Sequence, residues 1–404
     1  MNWTDLLARR MERMKASEIR ELLKLLDQPD ILSFAGGIPD PALFPAEDYA
    51  RAMAEALSGA GAGQALQYSV SEGYRPLREW LAGHMGTIGV PCGPENILIT
   101  SGSQQALDYL GKLLVTPGDT VMVGWPTYLG ALGAFNACEP RYVPLDVWSN
   151  AAPEAVQAEA EAAGGRVKMA YLSPDFANPT GETLDAAGRL RLLERAEALG
   201  IAVIEDGAYQ ALRYDGQAVP PMLATDVARS GGIESSRVIY CGSFSKTLAP
   251  GLRVGWVCAA SPVIERLVLL KQAADLHSPT LNQMATERVA RELFDRHVAR
   301  LRAVYGARRD RMLAALAREM PEGVTWTRPE GGMFVWVTLP KGLDAAEVLA
   351  RSLREEKVAF VPGGAFFPDG SGKNTLRLSF SCAQDAQIDE GMKRLGRLLR
   401  LYTS

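Results

Sequence analysis

The segment GSFSKTLAPGLRVGW, residues 242–256, crowds reactive side chains into one loop. Lys246 stands among Ser243, Ser245 and Thr247, with Arg253 seven residues on. A neutral lysine amine attacks carbonyl carbon, while small hydroxyls and a guanidinium fork suit an anion such as phosphate. Comparable groups follow other apolar runs. ITSGSQQALD sets Ser103 and Gln104 at the start of a helical pattern, where free amides and the helix dipole favour an anion. ANPTG supplies Asn178 in a turn sequence, and EDGAY supplies Asp206 and Tyr209. Each has an ordinary reading on its own: a helix cap, a turn, a structural carboxylate. A buried Asp206, however, requires a partner.

The elements that would position these groups are legible in the hydrophobic pattern. Apolar runs at 97–100, 121–123, 167–172, 201–204, 238–241 and 254–258 alternate with helical patterns such as 103–114 and 186–199. Strands that are apolar throughout suit a parallel sheet covered on both faces. The alternation predicts an α/β class, with a large doubly wound, mainly parallel domain over residues 46–285. In such sheets, ligands sit beyond the carboxyl ends of the strands, where the polar groups above fall. The rest of the chain, 286–404, reads as a smaller α+β domain with an antiparallel sheet. Its long helical pattern (283–318) precedes apolar stretches at 324–327, 333–339, 358–361 and 375–380, with helices at 345–356 and from Asp385. Gly331 and Gly332, in PEGGMFVW, predict a close backbone approach as that stretch enters the sheet. Residues 1–45 contain SEIRELLKLL, with Ile19, Leu22, Leu23 and Leu26 on one helical face, then the loop FAGGIPDPALFP.

Composition narrows the classes. The 404 residues are 47% apolar and 22% charged, ordinary for a globular protein too long for one core. A net charge of −4 offers no basic footprint for nucleic acid or membrane. The five cysteines show neither CxxC nor zinc spacing with histidine, so no metal is expected. No signal sequence or membrane span is evident, and a cytoplasmic, reducing location is expected. No Walker A or GxGxxG sequence is present. Hydroxyls, amides and Arg253 suit a phosphate, Asp206 a ring cation, and Lys246 a carbonyl carbon. Pyridoxal 5′-phosphate has all three features.

Ten stretches carry a resemblance across nearly the whole chain: FAGGIPDPALFP, QYSVSEGYRPLR, ITSGSQQALD, WPTYLGA, ANPTG, EDGAY, GSFSKTLAPGLRVGW, PEGGMFVW, FVPGGAFF and NTLRLSFS. The chain resembles the fold-type I pyridoxal-phosphate aminotransferases of class I/II, and among them the 2-aminoadipate and kynurenine aminotransferases. The resemblance implies that Lys246 anchors the cofactor and shuttles protons, and that Asp206 pairs with its pyridine nitrogen. It implies that Asn178 and Tyr209 bond the ring hydroxyl, that Tyr128 stacks on the ring, and that Ser103, Gln104, Ser243, Ser245 and Arg253 hold the phosphate. Tyr68 would reach the phosphate of a neighbouring subunit, making a homodimer with shared sites. Arg377 would clamp the substrate carboxylate, helped by Gly37 and Asn178. The N-terminal helix would lie over the active site and pack with the small domain, with Arg20 facing an acidic side chain. Ala177 departs from the glutamine that relatives often carry there.

The expected activity is transamination: an L-amino acid, 2-aminoadipate or glutamate first, gives its amine to a 2-oxo acid such as 2-oxoglutarate by ping-pong kinetics. Aromatic, branched-chain or kynurenine donors, or β-elimination on the same cofactor, are the alternatives. A regulator-type, DNA-binding relative is disfavoured, because the aminotransferase pattern begins by Ser17.

Overall fold

The computed structural model describes residues 2–14, 30–149 and 151–403. The predicted helix at SEIRELLKLL, with Arg20, lies outside the described residues. After β1 (Leu32–Ser33), seven strands build the central sheet: β2 (Ile97–Thr100), β3 (Thr120–Val123), β4 (Arg141–Pro144), β5 (Val167–Leu172), β6 (Ala202–Asp206), β7 (Val238–Ser243) and β8 (Gly255–Cys258). Their order is β2-β8-β7-β6-β5-β3-β4. All run parallel except β8, which is antiparallel to both β2 and β7. The six predicted runs all form strands. Half-exposed β4, absent from the sequence reading, joins as the edge strand beside β3.

Burial drives this sheet together. β2, β3, β7 and β8 are buried along their full length, which is why their sequences are apolar rather than alternating. Helices Ser103–Leu114 and Ala186–Leu199 cover opposite hydrophobic clusters of the sheet, Leu107 and Leu110 packing with Val121 and Ile204, Leu192 and Leu193 with Met122 and Val203. The second helix is bounded by local chemistry: the Asp185 side chain accepts from the Gly188 amide, and Gly200 leaves it with φ +66°.

A second sheet, β12-β13-β10-β9, is antiparallel throughout: β9 (Thr325–Trp326), β10 (Phe334–Thr338), β12 (Val361–Pro362) and β13 (Thr375–Ser379). β11 (Val358–Ala359) instead pairs in parallel with β1. That pairing lays residues 34–37 along β13, where the Ser379 amide donates to Phe34 O at 2.8 Å. Helix Thr280–Glu319 serves both cores. Val289, Leu293 and Val298 pack with the large sheet; Leu301, Tyr305 and Met312 pack with the small one. No described helix is long and apolar enough to cross a membrane.

At Gly331 and Gly332 the segment leading into β10 packs against the loop that follows β6. The Gly332 amide donates to Leu212 O at 2.9 Å, and the Tyr214 amide to Glu330 O at 2.8 Å. A Cβ on Gly331 would lie 2.3 Å from Leu212 O and 2.4 Å from the Phe176 ring, so the closeness expected of this glycine pair is real. Gly331→Ala should therefore lower stability by about 1–3 kcal/mol through overpacking. Urea denaturation of the variant beside the parent protein measures it, and an unchanged midpoint would refute the fit described.

Candidate active site

Because β8 runs against its neighbours, it begins at the edge where β5, β6 and β7 end. The 244–254 loop therefore turns over that edge, closed by the Phe244 amide donating to Val254 O at 3.1 Å. Arg253 leaves it at φ +55°, a left-handed conformation that costs a non-glycine residue about a kcal/mol or more. That backbone swings its guanidinium back over the turn after β2, where it donates to Ser101 O at 3.4 Å and Pro250 O at 3.1 Å. The approach depends on two glycines. A Cβ at Gly102, itself at φ +82°, would lie 2.3 Å from the Arg253 guanidinium, and one at Gly255 2.7 Å from the Ser103 amide nitrogen.

A cavity of about 150 Å³ opens here, lined by Ser103, Gln104, Tyr128, Asn178, Asp206, Tyr209, Ser243, Ser245, Lys246 and Arg253, with Ser173, Ala208 and Pro250. Ten positions singled out from the sequence thus share one cavity. Asp206 is buried at the end of β6; Oδ2 accepts from the Tyr171 hydroxyl at 2.8 Å, and Oδ1 from the Ala208 amide at 3.3 Å. Burial raises the Asp206 carboxyl above the usual range, while Tyr171, Ala208 and the nearby Lys246 charge oppose that shift. Lys246 Nζ donates to Gly37 O at 2.8 Å. Burial, reinforced by the positive charges of Arg377 and Arg253, lowers the Lys246 ammonium to a pKa of about 8.

Arg377, in the middle of β13, is 1% exposed. NH1 donates to Asn178 Oδ1 at 2.7 Å and NH2 to Ala35 O at 2.8 Å, while buried Nε has no partner. The guanidinium carbon lies 4.3 Å from the Phe334 ring centre. No carboxylate of a described residue forms an ion pair with it, and burial pulls its pKa down to about 10. Gly37 joins the two cations, for a Cβ there would come within 3.6 Å of the Arg377 guanidinium. Two cations, a buried carboxylate and a ring of hydroxyls make a site for a molecule carrying negative charge at both ends.

A family profile described as "Aminotransferase class I and II" matches residues 30–395. The chain belongs to this family. It is 46% identical over 400 residues to a 2-aminoadipate transaminase of Thermus thermophilus, covering 99% of this chain and 98% of the relative. An aromatic-amino-acid aminotransferase of Thermococcus litoralis is 44% identical, covering 96% and 92%. The crystal structure of an α-aminoadipate aminotransferase from Thermus thermophilus, complexed with N-(5′-phosphopyridoxyl)-L-leucine, superposes with a TM-score of 0.88 at 43% identity, covering both chains fully.

This aminotransferase uses pyridoxal 5′-phosphate. The residues present fit that group: the glycine-lined turn under Arg253 accepts a phosphate, and buried Asp206 a ring cation. Tyr68 is not among the residues lining the cavity; it stands 80% exposed, edge-on to His277 at 6.0 Å between ring centres. Asp175 and Ala177 do not line the cavity; Asp175 is buried and pairs with Arg189 at 2.7 Å. Sequence reasoning missed Tyr171 and Ser173, although both flank the end of the predicted strand 167–172.

The lysine offers a pH test. With a pKa lowered to about 8, the ammonium form dominates below that pH and the neutral amine above it. In the cofactor-free protein, acylation of Lys246 by acetic anhydride should climb with pH, with its midpoint near 8, and level off above it, whereas an unperturbed lysine has its midpoint at 10.5. Peptide mass mapping of the modified residue distinguishes the two profiles.

Proposed function

We propose that this aminotransferase moves the amino group of an acidic L-amino acid, 2-aminoadipate or glutamate, to a 2-oxo acid such as 2-oxoglutarate in two alternating half-reactions. The observation that carries this reading is the buried Arg377 guanidinium, uncompensated by any described carboxylate and linked through Gly37 to Lys246. A desolvated fork of this kind recruits the α-carboxylate that every such donor and acceptor shares. The acidic side-chain preference is supported by the 2-aminoadipate transaminase relative. The aromatic-amino-acid relative and the phosphopyridoxyl-leucine complex support tolerance of apolar side chains.

Pyridoxal phosphate, once bound, supplies a carbonyl for the amine and an electron sink for the bond broken at Cα. The protein's part follows from its own groups. Arg377 and Asn178 orient the carboxylate so that the Cα–H bond faces Lys246. Lys246 would hold the cofactor and, as a neutral amine, would carry the α-proton at Nζ; its pKa, lowered to about 8, leaves more of that amine at neutral pH than an ordinary lysine has. Asp206, braced by Tyr171, holds the proton on the ring nitrogen. Tyr128 covers the ring face, Asn178 and Tyr209 bond its hydroxyl, and Ser103, Gln104, Ser243, Ser245 and Arg253 fix the phosphate. The working unit is a homodimer in which exposed Tyr68 reaches the phosphate of the other subunit, and Arg20 meets the acidic side chain of the donor.

In the loaded enzyme, 2-aminoadipate should change the cofactor's absorption band, and 2-oxoglutarate should restore it after the first product is removed. If no amino acid changes the band, transamination is refuted. Lys246→Ala should abolish turnover. Arg377→Lys should lower kcat/KM about a hundredfold, ~3 kcal/mol, by losing the paired hydrogen bonds. Arg20→Ala should lower kcat/KM for 2-aminoadipate far more than for leucine. Equal losses on both donors would refute an acidic-side-chain role for Arg20.

A further inference from the structure

Behind the turn that faces the cavity lies an ion pair, a buried lysine with a partly exposed aspartate, that has no part in the chemistry above. Lys271, near the end of helix Ser261–Ala274, is 0% exposed. Its Nζ donates to Gln105 Oε1 at 2.9 Å, to Ser278 Oγ at 3.0 Å and to both carboxylate oxygens of Asp275 at 3.0 Å. A lysine ammonium has three protons to give, so these partners exhaust it. Burial pulls Lys271 down and Asp275 pulls it back. Burial pushes Asp275 up, but hydrogen bonds from Gln105 and Lys271 outweigh this and hold its carboxyl below the ordinary range.

Each partner of Lys271 also grips Ser101. Gln105 Oε1 accepts from the Ser101 amide at 2.8 Å, Asp275 Oδ2 accepts from the Ser101 hydroxyl at 3.1 Å, and Ser278 Oγ lies 3.0 Å from that hydroxyl. Gln105 Nε2 closes the ring with a 2.7 Å bond to Asp275. Ser101 therefore has its amide and hydroxyl tied inward, leaving its carbonyl for Arg253 at 3.4 Å. Two residues on, the Ser103 amide stands at the helix start, over Gly255. Burying a lysine carries a desolvation cost that an apolar side chain would avoid, so the pair suits a need for exact orientation better than a need for stability alone.

We propose that Lys271 and Asp275 are positioning residues for the cofactor's phosphate, locking Ser101 so that the Ser103 amide and Arg253 converge on one anion. This inference rests on the proposed assignment of Ser103 and Arg253 to the phosphate. The same cluster ties down residues 275–278, where Leu276 sits at φ +65° and His277 meets the Tyr68 ring. One ion pair thus braces both the turn beneath Arg253 and the neighbour of Tyr68.

The test compares pyridoxal 5′-phosphate with pyridoxal, which lacks the phosphate, on the full-length protein stripped of cofactor. Binding is read by absorbance and by quenching of tryptophan fluorescence. The parent protein should favour the phosphorylated form, and Arg253→Ala should erode that preference. Lys271→Met should reduce the preference about tenfold with pyridoxal affinity within about twofold, the scale of losing one or two charge-assisted hydrogen bonds. Asp275→Asn, a milder change at a partly exposed group, should reduce it by a smaller factor in the same direction. If the parent and Arg253→Ala behave as expected while Lys271→Met and Asp275→Asn keep the parent preference, the inference is overturned and the phosphate assignment stands. If the parent shows no preference, the phosphate assignment falls and the inference with it. Should Lys271→Met fail to fold, Asp275→Asn decides, and equal loss of both ligands there counts against positioning.

Discussion

A guanidinium withdrawn from water without a carboxylate beside it is the constraint on which this architecture turns. Arg377 is placed mid-strand, where β10 and β12 flank it and the Phe334 ring lies against it. Desolvation of such a cation is costly, and two neutral oxygens offset only part of the cost. The surroundings must therefore be held by forces other than that charge. They are: β1 pairs with β11, the Ser379 amide fastens Phe34, and Gly37 is then close enough to contact Lys246 as well. A segment near the start of the chain, a strand near its end and a loop from its middle meet because each supplies one wall around a positive charge.

The reversed strand β8 performs a second convergence. In a wholly parallel sheet, the chain after β7 would depart through a helix to the far edge. Here it turns back at once, so that Ser243 at the end of β7 and Arg253 just before β8 face the same space. Gly255 pairs with both Ser243 and Thr100 in register, which brings the turn at Ser101–Ser103 alongside. The left-handed backbone at Arg253 is a local cost accepted for that meeting.

Much of this was legible from the sequence, because burial on both faces leaves continuous apolar runs and the polar groups mark where those runs end. Ser103, Asn178, Asp206 and Lys246 could be placed in one cavity on that ground alone. What escaped notice did so for physical reasons. RYVP, at the exposed edge, lacks the apolar density of an interior strand. Tyr171 passes for one more core residue of β5, since nothing in its neighbours shows that its hydroxyl meets Asp206 across the sheet. Lys271 has the helical spacing of a solvated charge, and only the fold of residues 275–278 closes it off. The direction of β8 is likewise invisible, because strand polarity depends on the path of the connection and not on composition.

The long helix Thr280–Glu319 has a consequence for how sequences of this kind can change. Its forty residues make a rod of roughly 60 Å whose first half is keyed to one core and second half to the other. The changeover falls between Val298 and Leu301, with no loop there to absorb an error of phase. Adding or removing one residue at that point would rotate everything beyond it by about 100°, turning Tyr305 and Met312 away from the small sheet. Substitutions can accumulate along this rod, but its length is a quantity that the two cores hold in common, and neither can drift in register without the other.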